Sequence, residues 1–175
     1  EHAQTLYPIF TSIPGLKVVV PSDAYDAKGL LIQAIRDNDP VVFLEHKRLY
    51  MKKCHVPEES YTIPFGKAVV KRPGEDITII AIQKMVEYAQ KAAEELQAMG
   101  ISAEIIDPRT LSPLDTTTMI QSAQKTGRVM IVDESYPRCG MAADISAQLS
   151  EKLFGILKAP IFRVTPPHAH IPYAG

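Results

Sequence analysis

The chain has 175 residues, 46% apolar and 22% charged, with 19 basic against 20 acidic side chains and a formal net charge of −1. That length suits one globular domain, or one domain with part of another, and a chain of this size buries about 70% of its unfolded surface without staples. The charge balance argues against nucleic-acid binding through bulk phosphate attraction, no apolar run approaches the roughly 18 residues of a membrane span, and two cysteines are too few for a disulfide scaffold, so a reduced, cytoplasmic protein is expected.

In chain order, Lys17-Val18-Val19-Val20 reads as a short buried strand ended by Pro21. Ser22 or Asp23 can cap a helix with an apolar stripe at Ala24, Ala27, Leu30, Leu31, Ala34 and Ile35. Arg36-Asp37-Asn38-Asp39-Pro40 breaks it, and Val41-Val42-Phe43-Leu44 is a second apolar strand, so the three elements make a right-handed parallel unit too small to stand alone. From His46 to Pro64 the periodicity is lost and a linker is expected.

Beyond it, strands are expected at Lys67 to Lys71, Ile77 to Ile82, Ser102 to Ile106, Val129 to Val132 and Ile161 to Val164. The first helix among them carries Val86, Ala89, Ala92, Ala93, Leu96 and Met99 on one face and stops at Gly100. Asp115 to Lys125 and Ala142 to Phe154 are the other helices. The strands between helices are apolar throughout, as in a sheet covered on both faces, and the stretch near 67–71 is an antiparallel edge. The start at Glu1 shows no methionine, basic n-region or apolar h-region, so no targeting signal is expected, and neither end reads as a natural terminus, so a fragment is expected.

Several groups can carry chemistry. His2, beside Gln4, is either a surface histidine or a proton donor of a site. Asp37 and Asp39, at a helix end, are either turn formers or oxygen ligands for a hard cation. The run His46, Lys47, Arg48, Lys52, Lys53 and His55 is a solvated loop or a dock for an acidic or phosphate group, and Cys54-His55 lacks the further ligands a zinc site requires. Ile105 to Asp115 carries a strand into a rigid turn with two prolines, where Arg109 can meet a carboxylate at the sheet's carboxyl edge and Asp115 can cap the next helix. Asp133-Glu134-Ser135-Tyr136-Pro137-Arg138-Cys139-Gly140 follows the next strand in the same way. Cys139 there is either an inert thiol or one activated by a helix N-terminus.

These stretches resemble, in order along essentially the whole chain, the beta subunit of the thiamine-diphosphate-dependent first component of 2-oxo acid and acetoin dehydrogenase complexes. The likeness runs through His2-Ala3-Gln4 (His-Ser-Gln in the family), Pro14 to Val19, Asp26 to Leu30, Ala34 to Val42, Ile106 to Asp115, Thr126-Gly127-Arg128 and Ile171-Pro172-Tyr173-Ala174. The loop at 133–139, with Pro21-Ser22 and Tyr25-Asp26, looks more like the acetoin-cleaving branch than the pyruvate or branched-chain members.

The resemblance implies an α/β fold: the C-terminal part of a pyrimidine-binding thiamine-diphosphate domain over 1–45, a linker over 46–64, and a transketolase C-terminal-type domain with a mostly parallel sheet over 65–175. It implies cleavage of acetoin, or oxidative decarboxylation of a 2-oxo acid, with the acyl unit passed to a lipoyl group on a second component. His2 would assist that transfer by hydrogen bonding and proton transfer. Thiamine diphosphate and magnesium would be shared with an alpha subunit in an assembly of two alpha and two beta chains. The family's cofactor-contacting glutamate lies ahead of Glu1, so no cofactor-binding residue is assigned in this chain. Ala34, Ile35, Asp37 and Asp39, the last in place of the more usual Asn, align with a potassium site. A non-catalytic assembly or docking module, using the basic loop at 46–55, is the alternative of another class.

Overall fold

The computed structural model of the chain describes residues 4–171. It opens with a single-turn helix, α1 (Tyr7–Thr11), which Pro8 starts in its first turn. The β-branched triplet of β1 (Lys17–Val19) follows, then α2 (Ala24–Arg36), whose cap Asp23 accepts the backbone N–H of Asp26. β2 (Val41–Phe43) returns parallel to β1 in the register Lys17↔Val41, as the strand–helix–strand pattern predicts.

The buried face of α2 differs from the predicted stripe. Asp26, Gly29 and Leu30 are inside, while Leu31 and Ile35 are exposed, because α2 packs against the segment at 46–64 as well as against its sheet. That segment is irregular apart from a turn of 3-10 helix at Lys47–Leu49, yet it is strapped down. Lys28 donates to the carbonyls of Pro57, Glu58 and Glu59, the Tyr25 and Tyr61 rings stack at 4.7 Å, and the Ile63 N–H donates to the Gly29 carbonyl at 3.1 Å.

The second sheet has the order β3-β5-β4-β7-β8. β3 (Val69–Arg72) runs antiparallel to β5 (Ala103–Asp107) at one edge; β4 (Ile77–Ala81), β5, β7 (Val129–Val132) and β8 (Phe162–Val164) are mutually parallel. Ile80, Ile82, Ile106 and Ile131 face one core with α4 (Thr116–Thr126) and α5 (Met141–Lys152); Ile79, Ala81 and Ile105 face another with α3 (Met85–Ala98). Both faces are thus covered, which explains the continuous apolar strands. Asp115 caps α4 by accepting from the Thr118 N–H, and Gly100, at φ 80, follows the end of α3. On α3 the buried face is narrower than predicted, since Ala92 and Met99 are exposed. Phe154, expected inside the last helix, lies beyond it and is exposed.

The turn after β5 contains a strand that the two prolines conceal in the sequence. β6 (Thr110–Ser112) leaves the larger sheet and pairs antiparallel with β1, Val19 opposite Thr110, completing a three-stranded sheet of order β2-β1-β6. The largest core accordingly takes Tyr7, Val18 and Val20 from the first part of the chain and Leu111, Met119 and Ile145 from the second.

Gly29 marks where the strap meets α2, since a methyl there would lie 2.7 Å from side-chain carbons of Ile63 and Tyr61. Overpacking costs about 1–3 kcal/mol and the helix gains about 1 kcal/mol from alanine, so Gly29→Ala should lose up to about 2 kcal/mol. The urea midpoint of the full-length chain measures this, and a stabilised variant would contradict a seated strap.

Candidate active-site cleft

A cleft of about 850 Å³ opens between the first segment (Gln4, Thr5, Leu6, Tyr7, Phe10), the end of β2 (Leu44 to Arg48) and the turn from β4 into α3 (Gln83 to Met85, with Tyr88). Glu134 and Ile171 close it. Two consecutive acids follow β7, the first buried behind the cleft and the second, Glu134, lining it. Asp133 is 1% exposed and accepts from the Tyr7 hydroxyl, the Ser135 N–H and hydroxyl, and the Ala142 N–H in the first turn of α5. Burial, followed by the charge of Asp133, drives the Tyr7 phenol far above its usual range, so it remains a neutral donor.

Glu134 faces the cleft. Its Oε1 lies 3.2 Å from the Thr5 hydroxyl and 3.0 Å from His46 Nε2. His46 Nδ1 accepts the Arg48 N–H at 3.1 Å, so Nε2 carries the ring proton and donates to Glu134. On the opposite wall Gln83, held at φ 54, donates its amide to the Leu44 carbonyl at 2.6 Å. Glu87 gathers Lys84, Lys52 and Lys91, and the hydrogen bond from Lys84 leads in lowering its carboxyl to about 2. The cleft therefore has an apolar back, a basic rim at Lys47, Arg48 and Lys84, and two lining carboxylates that take part in no Lys or Arg ion pair among the described residues: Glu45, which accepts from the Tyr50 hydroxyl, and Glu134, which takes Thr5 and His46.

The expected site residues are distributed as follows. His2 lies outside the described residues; Gln4 and Thr5, just after it, line the cleft. From the basic run, His46, Lys47 and Arg48 reach the cleft and Lys52 reaches Glu87. Ala34, Ile35, Asp37 and Asp39 are at the end of α2 and do not line it. There the Lys17 ammonium sits 2.6 Å from Asp37 and 3.0 Å from Asp39, which pulls the Asp37 carboxyl below its usual range, and the Ala34 carbonyl accepts the Asp37 N–H. Among the described residues no group of three or more His, Cys, Asp or Glu side chains is placed to hold a metal ion, so the residues described do not fit a magnesium–diphosphate site. Cys54 and Cys139 are free and exposed; Cys139, at φ 52, borders a smaller hollow of about 320 Å³ with Pro8 and Thr11.

Arg109 does find a carboxylate. Its Nη2 stands 2.8 Å from Asp26 Oδ1, within a buried ionic cluster in which Lys71 meets Asp26 at 2.6 Å, Asp23 at 2.7 Å and Asp107 at 3.8 Å. The Asp26–Arg109 contact is close but not aligned as a hydrogen bond, and Arg109 Nε has no partner among the described residues. Sequence reasoning missed Asp26, Lys71, Asp107 and Tyr7; the signal available was an acid closing each of the strands β5 and β7 on the same sheet edge.

Over residues 66–175 the chain matches the family "Transketolase, C-terminal domain", and over 1–53 "Transketolase, pyrimidine binding domain". It belongs to the transketolase family. It is 56% identical, over 99% of its own length and 52% of the relative's, to the acetoin:2,6-dichlorophenolindophenol oxidoreductase subunit beta of Cupriavidus necator. The Bacillus subtilis protein of that description is 54% identical over 99% and 51%, and the B. subtilis pyruvate dehydrogenase E1 component subunit beta 51% identical over 99% and 54%. Among solved structures, one described as a split gene transketolase, inactive beta4 tetramer, superposes with a TM-score of 0.79 at 26% identity, covering 93% of this chain and 52% of that one. The chain spans about half the length of the curated relatives it matches. No helix among the described residues is long and apolar enough to cross a membrane.

Asp107 supplies a pH test of the ionic cluster. Burial, reinforced by the charge of Asp26 and opposed chiefly by Lys71, raises its carboxyl from the usual 3.8 to about 6. Folding thus favours the protonated form, and the stability it contributes is complete below about pH 4 and lost as the pH rises through about 6. Between those values the wild type should lose on the order of 2 kcal/mol relative to Asp107→Asn, read from paired denaturation curves. Parallel profiles would mean that Asp107 does not take up a proton on folding.

Proposed function

We propose that this chain is part of the beta subunit of a thiamine-diphosphate-dependent acetoin dehydrogenase first component, which cleaves acetoin and passes the acetyl unit to a lipoyl group of a second component. The identity of 54–56% to two acetoin oxidoreductase beta subunits over 99% of the chain carries the reading. A beta subunit of a pyruvate or branched-chain 2-oxo acid dehydrogenase is the second reading, favoured by the 51% identity to the pyruvate dehydrogenase subunit. The partners are then an alpha subunit, in a two-alpha, two-beta assembly, and a lipoyl-bearing acyltransferase. The alpha subunit holds magnesium and the diphosphate, for which the described residues offer no ligand cluster. The exposed free thiols Cys54 and Cys139 favour a reducing cytoplasm as the place of action. The division at 46–64 into a pyrimidine-domain remnant and a transketolase C-terminal-type domain belongs to the same proposal.

Thiamine diphosphate, when bound, supplies the nucleophilic carbon and the electron sink for cleavage beside a carbonyl. The chain's own part is to shape the approach to it. The apolar back of the cleft, from Leu6, Phe10, Leu44 and Met85, excludes water from an incoming acyl or lipoyl chain, and Thr5 and Glu134 orient the segment that follows His2. His2 acts at acyl transfer: the lipoyl S–S bond breaks as the acyl unit is oxidised by two electrons, one sulfur takes the acyl group, and His2 gives its proton to the other.

In the full-length assembled enzyme, His2→Ala should lower transfer to lipoamide by about 100-fold while reduction of an artificial dye acceptor falls far less. Undiminished transfer would remove His2 from the mechanism. With the dye as acceptor, kcat/KM for acetoin should exceed that for pyruvate and for a branched-chain 2-oxo acid; preference for an oxo acid would establish the second reading.

Ala34, Ile35, Asp37 and Asp39 are proposed as a structural potassium site resting on backbone carbonyls, since both carboxylates already face Lys17. Potassium should then raise the thermal midpoint of the full-length protein above that in choline at equal ionic strength. Equal midpoints would leave Lys17 as the cation of this helix end.

A further inference from the structure

On the footing of the reading above, we propose that Glu134 is a positioning residue for His2, acting through Thr5 and His46 to hold the first segment of the chain against the cleft. The loop after β7 grips that segment twice. Asp133, buried and saturated with donors from Tyr7, Ser135 and Ala142, fixes where the loop stands. Glu134 then reaches the other way and takes the Thr5 hydroxyl at 3.2 Å and the His46 Nε2–H at 3.0 Å, so three separate stretches of chain meet at one carboxylate.

Thr5 follows His2 by three residues, a tether of about 10 Å at full extension, so fixing Thr5 bounds where the imidazole can go. Lys47, Arg48 and Lys84 line the same cleft, yet Glu134 forms no ion pair with any of them. A half-buried carboxylate that orients a hydroxyl and an imidazole, rather than pairing with a Lys or Arg, is suited to aligning a segment.

The test uses the full-length chain assembled with its alpha partner, thiamine diphosphate and magnesium. Glu134→Ala should slow transfer to lipoamide by about tenfold, with KM for acetoin and the rate of dye reduction changed by less than about twofold. Glu134→Asp, which keeps the carboxylate, should recover part of the loss. In the double variant with His2→Ala, transfer should be no slower than in His2→Ala alone, because residues acting as one unit are not additive. Before cofactor is added, Glu134→Ala should speed amide hydrogen exchange over residues 4–7 and not in β4 or β5. Should Glu134→Ala fail to assemble, Thr5→Val carries the same expectations.

Multiplying losses in the double variant, equal losses in dye reduction and transfer, or unchanged exchange over 4–7 would each overturn the role of Glu134 and leave the proposed function standing. Full transfer in His2→Ala would remove His2 from the mechanism and the role of Glu134 with it, while the acetoin reading would still be decided by the substrate comparison.

Discussion

Asp26 is fully buried on a helix of the first part of the chain, and a carboxylate cannot be held there without cations. Both cations come from the second part: Lys71 from β3 and Arg109 from the turn between β5 and β6. The joint between the two parts follows from this requirement. Bringing Arg109 to Asp26 carries β6 out of the larger sheet and onto β1, where the Val20 N–H donates to the Arg109 carbonyl at 2.9 Å. The apolar core then closes over the joint, with Val18 and Val20 against Leu111 and Ile106.

Tyr7 and Asp133 form a second joint of the same design. In each, an acid at the carboxyl end of a parallel strand, Asp107 in β5 or Asp133 after β7, meets a group from the chain's first part: the Ser22 hydroxyl or the Tyr7 phenol. Crevices of open α/β sheets form at this edge, and here the crevice is roofed by another piece of the same chain. The cleft lies beside the second of these joints, lined by Tyr7 and Glu134. Its chemistry is inherited from that joint, since the loop that buries Asp133 inward is the loop that turns Glu134 outward.

The parallel unit β1-α2-β2, the five strands of the second sheet, its antiparallel edge and the caps of α2 and α4 were all legible, because each rests on local periodicity or on one capping side chain. β6 was not. Thr110-Leu111-Ser112 lies between prolines and is a strand only because β1, about 90 residues earlier, offers it an edge. The buried face of α2 was misjudged for a related reason: Asp26 and Gly29 are inside because of a salt bridge and a strap that no helical period encodes, leaving Leu31 and Ile35 outside. At the cleft the sequence marked His46 and Glu134 only as members of a basic run and an acidic loop; their pairing joins residues 88 positions apart. The resemblance, not residue pattern, singled out His2, and nothing in residue pattern could have done so for an isolated histidine.

The three non-glycine residues with positive φ among the described residues, Gln83, Arg109 and Cys139, stand in the loops that follow β4, β5 and β7. Such conformations cost of order 1 kcal/mol each and persist only where surrounding contacts over-determine them. For two of the three those contacts are with the chain's first part, Gln83 with the Leu44 carbonyl and Arg109 with Asp26 and Val20, while Cys139 shares a hollow with Pro8 and Thr11. Among the described residues, two of these three positions therefore lie at the seam where the two parts of the chain meet. Gln83 also lines the cleft, so backbone strain and cleft wall coincide at that residue. Rigid sheets on either side and strained loops between them are what a site needs if its geometry is to be set by contact across the seam rather than by either part alone.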